Sequence, residues 1–163
     1  STSSPATSTS KILFINASRN SDGNTAKIGQ ELLNGTDYRQ LNLIEYNINQ
    51  LGQNRDGDQY EEVLSAMEQS ETIVIGTPVY WHSMSGSLKT LFDRFYELQG
   101  SGHNLSGKKL YFLMQGSAPT NLSIESTEYI IQRVAAQTNK HLKGMADNDN
   151  EIGQLHNQIL EEQ

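Results

Sequence analysis

Three stretches of this chain gather residues suited to holding an anion and a flat ring. The first is ASRNSDGNTA, residues 17–26. Asn24 or Thr25 can cap a helix beginning there. A helix start offers N–H groups without intrahelical partners, at the positive end of a dipole. Ser18 and Thr25 add hydroxyls, Arg19 adds a two-pronged cation, and Gly23 lets the backbone turn closely. The pattern suits a phosphate group. An ordinary capped strand-to-helix turn has the same composition, so the loop alone leaves both readings open. The chain contains no G-x-x-x-x-G-K-[ST], and this loop no G-x-G-x-x-G.

The second stretch is GTPVYWHSMSG, residues 76–86, which holds the chain's one tryptophan. Tyr80 and Trp81 stand side by side in what reads as a surface loop. A flat aromatic cofactor sandwiched between ring faces and loop amides accounts for them, and so does a small core or a subunit contact. The third stretch, QGSAPTN at 115–121, has small residues that permit close approach, with Ser117 able to meet a ring edge.

Other chemistry finds less support. No two of His82, His103, His141 and His156 stand at helical ligand spacing. Of the four, His82 alone falls in a candidate loop. Ser85 precedes Gly86, but G-x-S-x-G is missing and no triad partner is evident. Residues 147–151 (DNDNE) resemble part of a calcium loop, yet Gly153 comes one place late, and a helix-capping turn fits better. Lys89 and Asp93 form an i,i+4 pair, and Arg94 is available to anchor a loop or a subunit contact. With no cysteine there is no disulfide framework, thiol nucleophile or Cys-ligated cluster.

The elements that must position these loops alternate in type. Residues 11–16, 38–43, 71–76, 109–114 and 142–146 read as strands, mostly as short unbroken apolar runs. Residues 24–33, 60–67, 84–98, 124–141 and 152–160 have apolar residues at helical spacing. Alternating strands and helices of this kind indicate a parallel sheet covered on both faces. The expected fold is α/β, a doubly wound five-stranded parallel sheet of order 2-1-3-4-5. In such sheets ligands bind beyond the carboxyl ends of the strands, near the point where strand order reverses. All three candidate loops follow strands at that end.

The chain's 163 residues suit one domain at 11–163, preceded by a flexible Ser/Thr-rich tail at 1–10. A net charge of −7 argues against nucleic acid or an anionic membrane as a general partner. No apolar run approaches the ~20 residues needed to span a bilayer. The expected setting is cytoplasmic.

The runs ASRNSDGNTA, IVIGTPVYWHSMSGSLKTLFDR and LSGKKLYFLMQGS resemble, in order, the flavodoxin-like NAD(P)H-dependent FMN reductases. The likeness covers nearly everything after the tail. It implies a flavodoxin-like fold, FMN as cofactor and NADPH or NADH as electron donor. By this resemblance Ser18, Arg19, Asn24, Thr25 and Ala26 hold the FMN phosphate. Pro78, Val79, Tyr80, Trp81, His82, Ser83 and Met84 line the flavin ring, and Gly116 and Ser117 approach its other edge. The implied activity passes electrons to a small acceptor such as a flavin or quinone, in a homodimer. A non-enzymatic flavodoxin-type carrier, or a flavin-binding protein without turnover, is the alternative. The final portion is shorter than in longer members, which leaves the acceptor open. The cysteine cluster of the iron–sulfur flavoprotein branch is absent.

Overall fold

The computed structural model describes residues 11–78, 85–95, 105, 107–115, 132, 134, 141–146 and 149–162. Its strands are β1 (Ile12–Asn16), β2 (Tyr38–Asn42), β3 (Thr72–Pro78), β4 (Lys109–Gln115) and β5 (His141–Ala146). Its helices are α1 (Asn24–Leu32), α2 (Tyr60–Glu68), α3 (Gly86–Arg94) and α4 (Asp149–Glu161). The strands form one sheet in the order β2-β1-β3-β4-β5, and every neighbouring pair is parallel. Strand order reverses between β1 and β3, so the ends of these two strands flank the crevice where such sheets take ligands.

The apolar runs divide between two layers with the period of two that a strand imposes. Leu13 and Ile15 of β1, Ile73 and Ile75 of β3, and Leu110, Phe112 and Met114 of β4 face α2 and α3. Ile12, Phe14, Val74, Tyr111 and Leu113 face α1 and α4. Each fully buried side chain of this size contributes about 1.5–3 kcal/mol relative to exposure. Both faces are therefore apolar, which is why these strands lack the polar alternation of a half-exposed sheet.

Element ends differ from the sequence reading at several points. β3 runs on through Thr77 and Pro78, which pair in register with Met114 and Gln115 of β4. A short helical turn, Leu43–Glu45, follows β2 directly and takes Leu43 out of the strand. His141 opens β5 rather than closing a helix, because it pairs with Lys109 of β4. α4 starts at Asp149, earlier than its first apolar residue at Ile152. Nearly all of the helix expected at 124–141, and the tail at 1–10, lie outside the described residues. Among the described residues, no helix is long and apolar enough to cross a membrane.

Candidate functional site

β1 ends in Asn16, a fully buried polar residue at the carboxyl end of an otherwise apolar strand. Its Oδ1 accepts the Ser18 N–H at 3.1 Å, and its Nδ2 donates to the Asn20 carbonyl at 3.1 Å. Nδ2 also donates to Asn42 Oδ1 on β2 at 3.1 Å. Ser18 repeats the device one step on, its Oγ accepting the Asn20 N–H at 3.1 Å. Two successive side-chain-closed turns thus shape the loop that leaves β1. The bond from Asn20 uses a lone pair of Ser18 Oγ and not its hydrogen. Gln40 secures the loop from β2, donating to the Ser21 carbonyl at 3.1 Å and to Asn42 Oδ1 at 2.8 Å.

The loop delivers the chain to α1, whose capping position is Gly23. This corrects the expectation of an Asn24 or Thr25 cap: both are already helical, and the capping residue makes no side-chain hydrogen bond. Gly23, in extended conformation, has no group to offer. The first turn also carries no acidic residue. The first N–H groups of α1 consequently have no helical acceptor and no side-chain cap, at the positive end of the helix. Ser18, Thr25 and Ala26 are buried, while Arg19 and Asn24 reach the surface.

Glycines let α1 lie close on the sheet. A Cβ at Gly29 would run into the Phe14 ring of β1. A Cβ at Gly76, on β3, would stand 3.0 Å from both Phe14 Cε1 and Thr25 Cγ2. Thr25 therefore rests its methyl directly over β3, beside Asn16, which is the register partner of Gly76.

The start of α3 is tied to the same corner. Ser85 accepts the Leu88 N–H on its Oγ at 3.3 Å, capping α3, and its own N–H reaches Thr77 Oγ1 at 3.0 Å. Ser87 donates to the Ala17 carbonyl at 3.3 Å. Ala17 in turn donates its N–H to the Gly76 carbonyl at 2.8 Å. The ends of β1 and β3 and the start of α3 are thus one hydrogen-bonded unit. Ser85 is the cap of α3.

Behind α3, Arg94 anchors the segment between β2 and α2. Its Nη2 meets Asp58 Oδ2 at 2.8 Å, its Nη1 donates to the Asn49 carbonyl at 2.9 Å, and its guanidinium lies 4.2 Å from the Tyr60 ring centre. Tyr60 returns a bond from its hydroxyl to the Arg94 carbonyl at 2.9 Å. Burial alone would raise the Asp58 carboxyl. Bonds from Arg94 and from the Asn49 and Tyr60 amides, with the Arg94 charge, outweigh it and hold the group below its ordinary range. Lys89 and Asp93 form the expected exposed pair at 3.2 Å.

Of the expected ring-lining residues, Pro78 is described. It is buried at the end of β3, its carbonyl accepting Thr77 Oγ1 at 2.9 Å. Val79, Tyr80, Trp81, His82, Ser83, Met84, Gly116 and Ser117 lie outside the described residues. An open groove of about 630 Å³ runs along α1 from Asn24 to Asn34, with Gln115 of β4 on its other wall. Among the described expected residues, only Asn24 lines it. His156 lies within 2.8 Å of the Leu32 carbonyl through Nδ1, a bond that ties α4 to the end of α1. Among the described residues no three candidate ligands cluster to hold a metal.

Asn16, Thr77 and Ser87 are not among the site residues expected from the sequence. The sequence signal for Asn16 is a polar residue closing the apolar run KILFIN.

Residues 10–143 match the family model of the NADPH-dependent FMN reductases. The chain is 30% identical over 93 residues to an NAD(P)H-dependent FMN-containing oxidoreductase, so named, of Bacillus subtilis. It is 31% identical over 98 residues to an iron–sulfur flavoprotein of Methanocaldococcus jannaschii. Each alignment takes in 52% of this chain and 51% of the relative, so the chain spans about half the length of the curated relatives it matches. This chain has no cysteine with which to ligate an iron–sulfur cluster. In fold it is similar to the Trp repressor binding protein from Bacillus subtilis, with a TM-score of 0.71 at 22% identity. That likeness covers 90% of this chain and 97% of the other.

Proposed function

We propose, given that the chain belongs to the NADPH-dependent FMN reductase family, that it is an FMN-dependent oxidoreductase using NADPH or NADH. The observation that carries this reading is the start of α1. It has no side-chain cap and no acidic residue, and it lies at the carboxyl end of the sheet beside Ser18 and Thr25. These features fit a phosphate monoester. Ser18, Arg19, Asn24, Thr25 and Ala26 bind it, Arg19 supplying the charge and the helix start the oriented N–H groups. Pro78, Val79, Tyr80, Trp81, His82, Ser83 and Met84, with Gly116 and Ser117 opposite, hold the ring in this reading. FMN, when bound, supplies the capacity to take a hydride from the nicotinamide and release its electrons to an acceptor.

The protein's own part is orientation. The bonds joining Ala17, Gly76, Thr77, Ser85 and Ser87 fix the ends of β1 and β3 relative to each other, and so fix a phosphate relative to a ring. The acceptor in this reading is a small flavin or quinone. In this reading residues 11–163 act as one domain, in a cytoplasmic homodimer.

Titration with FMN and with riboflavin, read by flavin fluorescence, tests the site; anaerobic addition of NADPH or NADH then tests turnover. Quenching by both flavins, tighter for FMN, and bleaching by a nicotinamide are expected. No quenching and no thermal protection by FMN would overturn the reading. Holoprotein that stays oxidised under both nicotinamides, yet is reduced by dithionite, would make it a carrier instead.

A further inference from the structure

The amide of Asn16 is the most heavily used polar group among the described residues at this end of the sheet, and it touches none of the atoms assigned above to binding except the Ser18 N–H. Burying a primary amide at the end of an apolar strand is costly unless its donors and acceptor are matched. Here they are matched on both sides. The acceptor holds the Ser18 N–H, and the donors hold the Asn20 carbonyl and Asn42 Oδ1. Asn42 is the register partner of Asn16 on β2 and also accepts from Gln40, which grips the Ser21 carbonyl. A chain of amides therefore runs from β2 through Asn16 into the loop and sets where Ser18 and the following N–H groups lie.

We propose that Asn16 is the positioning residue of the phosphate loop, with Asn42 as its support from the neighbouring strand. The role rests on the FMN reading of that loop. Without Asn16 the β1 exit loses the closure of its first turn and its tie to β2, and Ser18 is no longer held next to the start of α1. The effect falls mainly on the phosphate, because among the described residues the amide chain bonds to the loop and to β2, and its side chains make no bond to β3 or β4.

The test compares dissociation constants for FMN and riboflavin in the wild-type chain, Asn16→Ala and Asn42→Ala. None of these changes alters charge, so a difference between the two ligands reports phosphate geometry. Asn16→Ala is expected to weaken FMN at least tenfold more than riboflavin, and Asn42→Ala about threefold more. Equal losses for both ligands, or unchanged constants, overturn the role. If Asn16→Ala does not fold, judged by circular dichroism, the half-buried Asn42 variant decides alone, by the same two results. A wild-type chain that binds FMN no better than riboflavin overturns the phosphate assignment and this role together. A wild-type preference for FMN that both variants retain overturns only the role.

Discussion

Arg94 holds Asp58 at 2.8 Å from the far end of α3, and this pair fastens the segment after β2 to the body of the fold. The Arg94 side chain is 8% exposed and that of Asp58 is 26% exposed. Removing one partner of such a pair leaves a charge poorly solvated, which costs about 3–5 kcal/mol when burial is complete. Because Asp58 keeps some water, Arg94→Ala is expected at the low end, about 3 kcal/mol. Arg94→Lys keeps the charge but not the fork, and cannot serve Asp58 and Asn49 together. It should fall between the two. Urea unfolding of the three proteins checks the order, and an Arg94→Lys variant as stable as wild type would show that charge alone matters.

The same carboxylate makes stability depend on acid. Asp58 has a lowered pKa in the folded chain, so across the window below the ordinary carboxylate value of about 3.9 the unfolded chain binds more protons. Its contribution is present above that value and is lost as pH falls through the lowered folded one. Asp58→Asn removes the titrating group. The stability gap between wild type and Asp58→Asn should therefore be constant from pH 7 to about 5 and shrink below about 4. Thermal melts of both proteins across that range measure it.

Gly29→Ala tests the close approach of α1 to β1. In an open helix this change helps by about 1 kcal/mol through propensity. Here the new methyl meets the buried Phe14 ring, and overpacking costs about 1–3 kcal/mol. Net destabilisation is expected, with part of it recovered in Gly29→Ala combined with Phe14→Leu. A double-mutant cycle without coupling would place the conflict elsewhere.

Much of this architecture is legible in the sequence because the strands are buried on both faces. Unbroken runs such as KILFIN, ETIVIG and KLYFLM announce a covered parallel sheet without needing a partner's contribution. Element ends are less legible, since they depend on neighbours. Thr77 and Pro78 join β3 because β4 extends alongside them, and His141 joins β5 because Lys109 lies opposite. The cap of α1 differs from the expected one for a related reason. Asn24 and Thr25 have the right chemistry, but the turns closed by Asn16 and Ser18 set the phase of the chain and bring Gly23 to the capping place. The loop after β1 stands out by residue type as a candidate for a phosphate, whereas the amide chain that shapes it runs between β1 and β2 and exists only in the fold.

Thr25→Ala separates phosphate from ring binding. The hydroxyl lost from the first turn of α1 would donate to an anion, an interaction worth about 1.5–3 kcal/mol. FMN affinity should fall by about tenfold or more, with riboflavin little changed. Fluorescence titration with both flavins reads the difference, and equal losses would mean that Thr25 serves packing against Gly76.

The uncapped start of α1 also bears on how the chain without a ligand resists proteolysis. A missing cap weakens a helix end, and here that end carries the buried Thr25 and Ala26. A ligand that binds only the folded chain adds about 2.7 kcal/mol at a hundred times its dissociation constant. Proteases that sample open states follow the population of those states. If the chain binds FMN as proposed, the loaded and empty forms should then differ by a large factor in their resistance to proteolysis.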